Sequence, residues 1–270
     1  MQREHYPAYD TRRSTLQQAV SKVPEVTLGF WVVKVAATTL GETGGDWVTM
    51  SLNFGYLIGT AIFAAIFVGL VSSQVKAGKF HPTLYWATII GTTMLGTTIA
   101  DLADRSVGLG YPGGVAVVAT LLAASLAIWY WSEKSISVGS VNKPTVEWFY
   151  WVTILFSQTL GTALGDWTAG SDRGGLGLGY ETGALIFGAG LLIVATLYFW
   201  SKVSHTLLFW LAFVLTRPLG ATLGDLLDKP VTQGGLHLSR LYASVVLLVF
   251  IALCVKLIPQ RPAIDQRVAA

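Results

Sequence analysis

The sequence predicts an all-α fold, a polytopic membrane bundle of eight transmembrane helices arranged as four tandem two-helix repeats. Three observations predict it: a composition too apolar for a soluble domain, eight apolar stretches of bilayer-spanning length, and a motif that returns four times at constant spacing. Hydrophobic residues make up 53% of the chain and charged residues 12%, where an ordinary soluble domain carries about 25% charge. A helical span needs about 20 apolar residues, and such stretches occur at 26–48, 52–73, 83–103, 111–131, 147–168, 180–201, 205–226 and 238–258. They leave almost no chain over, so residues 1–270 read as one membrane domain with tails at 1–21 and 259–270.

Tryptophan measures the repeat. Phe30-Trp31, Tyr85-Trp86, Tyr150-Trp151 and Phe209-Trp210 are four aromatic-Trp pairs; ten residues after each Trp stands Gly41, Gly96, Gly161 or Gly220, and fifteen after it Asp46, Asp101, Asp166 or Asp225. Repetition at a fixed period is the signature of tandem units, here at about 22–80, 81–142, 143–204 and 205–258. The second helix of each unit opens with Gly55-Tyr56, Gly110-Tyr111 or Gly179-Tyr180, and the fourth departs with His237-Leu238. Units one and three read Gly-Asp-Trp at the aspartate. Units two and four read Asp101-Leu102-Ala103-Asp104-Arg105 and Asp225-Leu226-Leu227-Asp228-Lys229. The order is therefore A-B-A-B, a pseudo-twofold pair of four-helix halves whose units all point the same way, unlike inverted transporter repeats.

Charge sets the expected orientation. Arg3, Arg12, Arg13, Lys22, Lys76, Lys79, Lys134, Lys143, Lys202, Lys256, Arg261 and Arg267 lie on the tails and on the loops after even-numbered helices, against Arg105, Arg173, Lys229 and Arg240 on the other face. The positive-inside rule then places both termini in the cytoplasm. The polar first 25 residues have no short apolar core or cleavage site, so no removable signal peptide is expected. The single cysteine, Cys254, reads as a small packing residue and rules out an internal disulfide.

Positions 7, 11 and 15 after each Trp share one helix face. They read Thr38-Glu42-Asp46, Thr93-Thr97-Asp101, Gln158-Thr162-Asp166 and Arg217-Ala221-Asp225, polar at every position but Ala221. Each Asp lies roughly 22 Å along the helix from its Trp, so every odd helix carries a polar track from mid-membrane to the outer side. Charged groups in hydrocarbon face the bundle interior or water and mark pathways. The functional reading is an oxygen-rich vestibule in which Glu42, Asp46, Asp101, Asp166 and Asp225 bind a cation, with Thr38, Thr97, Thr162 and Gln158 along the path. Carboxylate and hydroxyl oxygens suit Mg²⁺, Ca²⁺ or Mn²⁺. Lys34, below Glu42, reads as its counter-ion through water, as a gate residue, or as half of a structural ion pair; Arg217 would neutralise the carboxylates without a cation or contact an anion.

Each feature also has a purely architectural reading. The aspartates can cap turns and neighbouring helix termini. The repeat glycines most economically allow close helix contact. Asp104, Asp172 and Asp228 read as solvated loop charges, the aromatic-Trp pairs as interfacial anchors, and Pro218 as a kink in the seventh helix.

The four aromatic-Trp…Leu-Gly…Asp units resemble a bacterial family of repeats of unknown function, usually described as membrane-anchored protein, over about residues 22–258. The resemblance implies the bacterial inner membrane as location. Glu42-Thr43-Gly44-Gly45-Asp46 is also similar to the acidic motif of manganese and calcium cation exchangers, though one residue longer and with Trp47 in place of its base. That similarity implies acidic residues on a cation path. The leading expectation is a secondary transporter exporting a divalent metal cation such as Mn²⁺. The alternatives are a channel or transporter for a small organic or anionic solute, and a non-transporting scaffold or sensor. No enzyme, cofactor or nucleic-acid motif is present; the expected partners are lipid and the transported solute, with a homo-oligomer left open.

Overall fold

Alternation of long apolar stretches with short Gly- and Pro-rich turns folds, in a computed structural model describing residues 20–264, into eight long helices. They are α1 (Leu28–Asp46), α2 (Gly55–Lys76), α3 (Pro82–Asp101), α4 (Gly110–Glu133), α5 (Pro144–Ala169), α6 (Tyr180–Trp200), α7 (His205–Asp228) and α8 (Arg240–Leu257). The spans expected from sequence match these within a few residues. The Thr27 side chain caps α1, accepting from Phe30 N at 3.3 Å. Pro82 and Pro144 open α3 and α5, where the missing N–H has no partner to lose. The Gly-Tyr entrances have a backbone reason: Gly55, Gly110 and Gly179 take φ of 72°, 67° and 77°, and His237 holds the same left-handed region at 54° without glycine.

The odd helices form the inside. α1 packs on α3, α3 on α5, α5 on α7, and α7 back on α1, closing a ring. The even helices lie outside, each against the odd helix of the next unit: α2 on α3, α4 on α5, α6 on α7, and α8 on α1. No unit packs as a hairpin on its own, so the four are interlocked around the ring. Five helices (α2, α4, α6, α7 and α8) are long and apolar enough to cross a membrane. The four outer ones expose mainly Leu, Val, Ile and Phe, the surface a lipid environment demands. α1, α3 and α5 are less apolar because protein rather than lipid surrounds them.

The repeat glycines build the ring contacts in strict rotation. A Cβ on Gly41 would meet Thr93, one on Gly96 would meet Gln158, one on Gly161 would meet Arg217, and one on Gly220 would meet Thr38. Every glycine thus seats the position-7 residue of the next unit, the close approach that small residues allow in membrane helices. Gly220→Ala would bring a Cβ within 2.2 Å of Thr38 Oγ1 and 2.8 Å of its carbonyl carbon. It is expected to lower stability by about 1–3 kcal/mol in thermal melts of detergent-purified protein. Gly188→Ala, with nothing within 4 Å of the added Cβ, is expected to leave the melt unchanged.

The interfacial role expected for the aromatic-Trp pairs is corrected for all of them except Trp31, which is half-buried. Phe30, Tyr85, Trp86, Tyr150, Trp151, Phe209 and Trp210 are buried and fill the end of the ring nearest the described termini. Phe30 stacks near Trp86 (5.4 Å between centroids) and Phe209 (6.3 Å). Tyr85 and Tyr150 join hydroxyl to hydroxyl at 2.6 Å between the adjacent helices α3 and α5. α7 continues through Pro218 without interruption.

The all-α bundle carries one small addition. Strands β1 (Val20–Pro24) and β2 (Pro262–Ile264) pair antiparallel beside the 3₁₀ turn Val138–Ser140. Lys22 there forms a 2.7 Å ion pair with Glu147. Parts of the expected tails thus lie folded against the aromatic end; Arg3, Arg12, Arg13 and Arg267 lie outside the described residues.

Candidate functional site

The polar stripes of the four odd helices meet inside the ring, since the helix face that carries position 7 also packs on the neighbouring glycine. Thr38, Glu42, Asp46, Thr93, Thr97, Asp101, Gln158, Thr162, Asp166, Arg217 and Asp225 are all buried. They divide into a central level, an outer level and, nearer the aromatic end, Lys34.

At the central level one guanidinium nitrogen joins four units. The two N–H bonds of Arg217 Nη2 are shared among Glu42 Oε2 at 3.0 Å, Thr97 Oγ1 at 2.5 Å and Thr162 Oγ1 at 2.6 Å. These three acceptors are the position-11 residues of units one, two and three. The fourth position-11 residue is Ala221, and its small size has a cause: Arg217 on the same helix reaches one turn up into that level. Glu42 and Arg217 are both fully buried, so the counter-ion that spacing suggested Lys34 would provide comes from Arg217. Lys34 instead donates to Gln158 Oε1 at 3.4 Å and lies 4.1 Å from the centroid of the Phe213 ring.

At the outer level the four aspartates are held in two pairs, each bridged by a base. Arg105 contacts Asp101 at 2.5 Å and Asp166 at 3.7 Å. Lys229 bonds Asp46 and lies 3.0 Å from Asp225. Each base comes from a B-type unit, four residues beyond its own aspartate, and reaches the aspartate of the following unit. The A-B-A-B alternation is therefore a charge pattern laid on a ring of four packed units. Arg240 adds a third base at this end, 3.0 Å from Asp228 and 3.9 Å from Asp46.

Three carboxylates converge. One oxygen each from Glu42, Asp46 and Asp225 lies within 4.8 Å of the other two, and Asp46 Oδ1 has no hydrogen-bond partner among the described residues. Asp101 and Asp166 do not join this group. Such an all-oxygen set is the donor chemistry of hard divalent cations.

Two of the three loop aspartates are not solvated. Asp104 and Asp228 are buried, because α4 and α8 pack over the turns that carry them; Asp172 is exposed, paired with Arg173 and accepting from Tyr111 Oη at 3.1 Å. Both Asp104 oxygens lack partners, and its Oδ1 lies where a Cβ on Gly114 would be, 2.0 Å away. Burial, with the neighbouring Asp101 carboxylate adding to it, pushes the Asp104 carboxyl up to about 7. A carboxyl raised in the folded state holds a proton that the unfolded chain has released, so stability falls as pH rises from the unfolded value through about 7. Asp104→Asn is expected to flatten that fall and to raise stability above pH 7 by about 1–3 kcal/mol, read from melting curves between pH 5 and pH 8.

The bases Arg105, Lys229 and Arg240 were absent from the sequence-derived site, where they counted only as loop charges. The i,i+4 spacing of Asp101–Arg105 and Asp225–Lys229 was a legible signal; the second partner of each, on the next unit, was not.

No curated protein and no solved structure matches the chain. A family model described as Repeat of Unknown Function (DUF347) matches it four times, at residues 29–80, 84–135, 149–204 and 208–258, each match containing one odd helix, one even helix and one aspartate of the outer level. The chain is a membrane protein of four helical repeats and belongs to the DUF347 repeat family.

Proposed function

We propose that the protein is a secondary transporter that exports a divalent metal cation such as Mn²⁺ through the polar core of the ring, with Glu42, Asp46 and Asp225 as its ion site. The observation that carries this reading is the convergence of three buried carboxylates within 4.8 Å of one another, inside a bundle whose outer helices are lipid-compatible. Buried acids in membrane domains line ion paths far more often than they serve packing alone. The unpartnered Asp46 Oδ1 offers a ligand position that costs no existing bond.

Lys229 gives the site a way to couple. Its ammonium stands between Asp46 and Asp225, so an arriving metal ion replaces a tethered cation rather than filling a void. The carboxylates then always hold one cation or the other, which favours exchange over an open channel. Asp101 and Asp166 with Arg105 repeat the arrangement on the opposite side of the ring, and Thr97, Thr162, Thr38 and Gln158 supply oxygens toward Lys34. The reading includes a bacterial cytoplasmic membrane with both termini inside, and no enzymatic step.

Asp46→Asn, Asp225→Asn and Glu42→Gln, made singly, test it. Cells expressing each variant at wild-type level are expected to retain several-fold more Mn²⁺ and to lose tolerance to added Mn²⁺. Normal metal content and tolerance in all three would overturn the reading.

A further inference from the structure

The level between Glu42 and the aromatic end has an excess of positive charge and of donors. Lys34 and Arg217 are both completely buried, close enough for their charges to repel, and Glu42 is the one carboxylate bonded to either among the described residues. Among the described residues Arg217 uses Nη2 for all of its bonds, and its Nε and Nη1 are buried without a partner. Gln158 turns its oxygen to Lys34, which leaves its buried Nε2 unpartnered as well. The hydroxyls of Thr38 and Thr93 make no bond to these nitrogens; each turns its single proton toward backbone carbonyls, those of Lys34, Val35 and Thr216 lying in reach of Thr38 and those of Ala37 and Ile90 in reach of Thr93. Three unpartnered donor nitrogens and two basic side chains facing one carboxylate are thus enclosed in a membrane domain. Each unsatisfied donor and the unbalanced charge carries a substantial free-energy cost there.

We propose that a small monovalent inorganic anion, chloride being the simplest, binds among Lys34, Gln158 and Arg217. One such ion accepts from the ammonium, from Gln158 Nε2 and from an unpartnered N–H of the guanidinium, and balances the second positive charge. The site uses none of the three carboxylates of the proposed cation site, apart from Arg217 touching Glu42, and its test contains no metal.

The experiment is a melt of purified full-length protein in sodium chloride, bromide or gluconate at equal ionic strength with a chelator present. A saturable rise of melting temperature of about 5 °C or more is expected in chloride and bromide, and none in gluconate. Lys34→Met is expected to melt equally in all three salts, because it removes the charge that the anion balances. Should that variant fail to fold, bromide anomalous scattering from crystals of the wild type gives the same answer by a direct route, with one peak expected among the three side chains. Identical wild-type melts in chloride and gluconate, a chloride response that persists in Lys34→Met, or no bromide peak would each overturn the proposal, the first being the result for an uncharged Lys34. All of these readouts are taken without metal, so their failure is distinguishable from failure of the Mn²⁺ content and tolerance tests above.

Discussion

Arg217→Met is expected to destabilise the protein by about 3–5 kcal/mol, the loss seen when one member of a buried ion pair is removed, or roughly 10 °C in melting temperature. The substitution keeps an unbranched side chain against Gly161 but strips Glu42 of its 3.0 Å partner and leaves the Thr97 and Thr162 hydroxyls without their donor. Glu42→Gln in the same background should recover most of the loss, since a neutral amide needs no counter-charge. A double-mutant cycle in thermal or denaturant unfolding reads the difference. If the two single variants and the double variant add without coupling, the central pair does not organise the ring.

Lys229→Met should act in two directions. Without metal, Asp46 and Asp225 lose the base between them, and stability is expected to fall by about 3–5 kcal/mol. With metal, the tethered competitor is gone; a unit charge at this range contributes about 4 kcal/mol at an effective dielectric of 20, so apparent Mn²⁺ affinity should rise by at least about tenfold. Melts over a Mn²⁺ series, with Mg²⁺ and Na⁺ alongside, measure both effects on one sample. A variant that melts like the wild type and ignores Mn²⁺ would remove Lys229 from the exchange scheme.

Much of this architecture can be read directly from the chain, for physical reasons that also mark where such reading stops. Helix extents follow from span length, so the stretch at 83–103 corresponds to Pro82–Asp101 and that at 180–201 to Tyr180–Trp200. The stripe Thr38-Glu42-Asp46 and its counterparts do meet, because residues on one face of an inner helix have no other surface to occupy. What a helix outside the unit does is hidden. Trp86 and Trp151 carry an interfacial composition signal but are buried, Trp86 against Phe30 of another unit and Gln260 and Trp151 against Tyr85 of another unit. Asp104 and Asp228 sit in outer turns that read as solvated until α4 and α8 fold over them. The bridging of Asp166 by Arg105 and of Asp46 by Lys229 depends on the cyclic order of packing, and the closure of α7 and α8 onto α1 has no local sequence signal. Ala221 is the instructive case: the one apolar residue in the stripe is small because Arg217, four residues earlier, fills its place.

The most direct test of the central claim, that Glu42, Asp46 and Asp225 form a cation site used for transport, is Mn²⁺ flux into proteoliposomes containing only the purified protein. Saturable flux in the wild type, reduced by at least about tenfold in Asp225→Asn at equal reconstitution, is the predicted result. No flux above protein-free liposomes, or equal flux in wild type and Asp225→Asn, would contradict it.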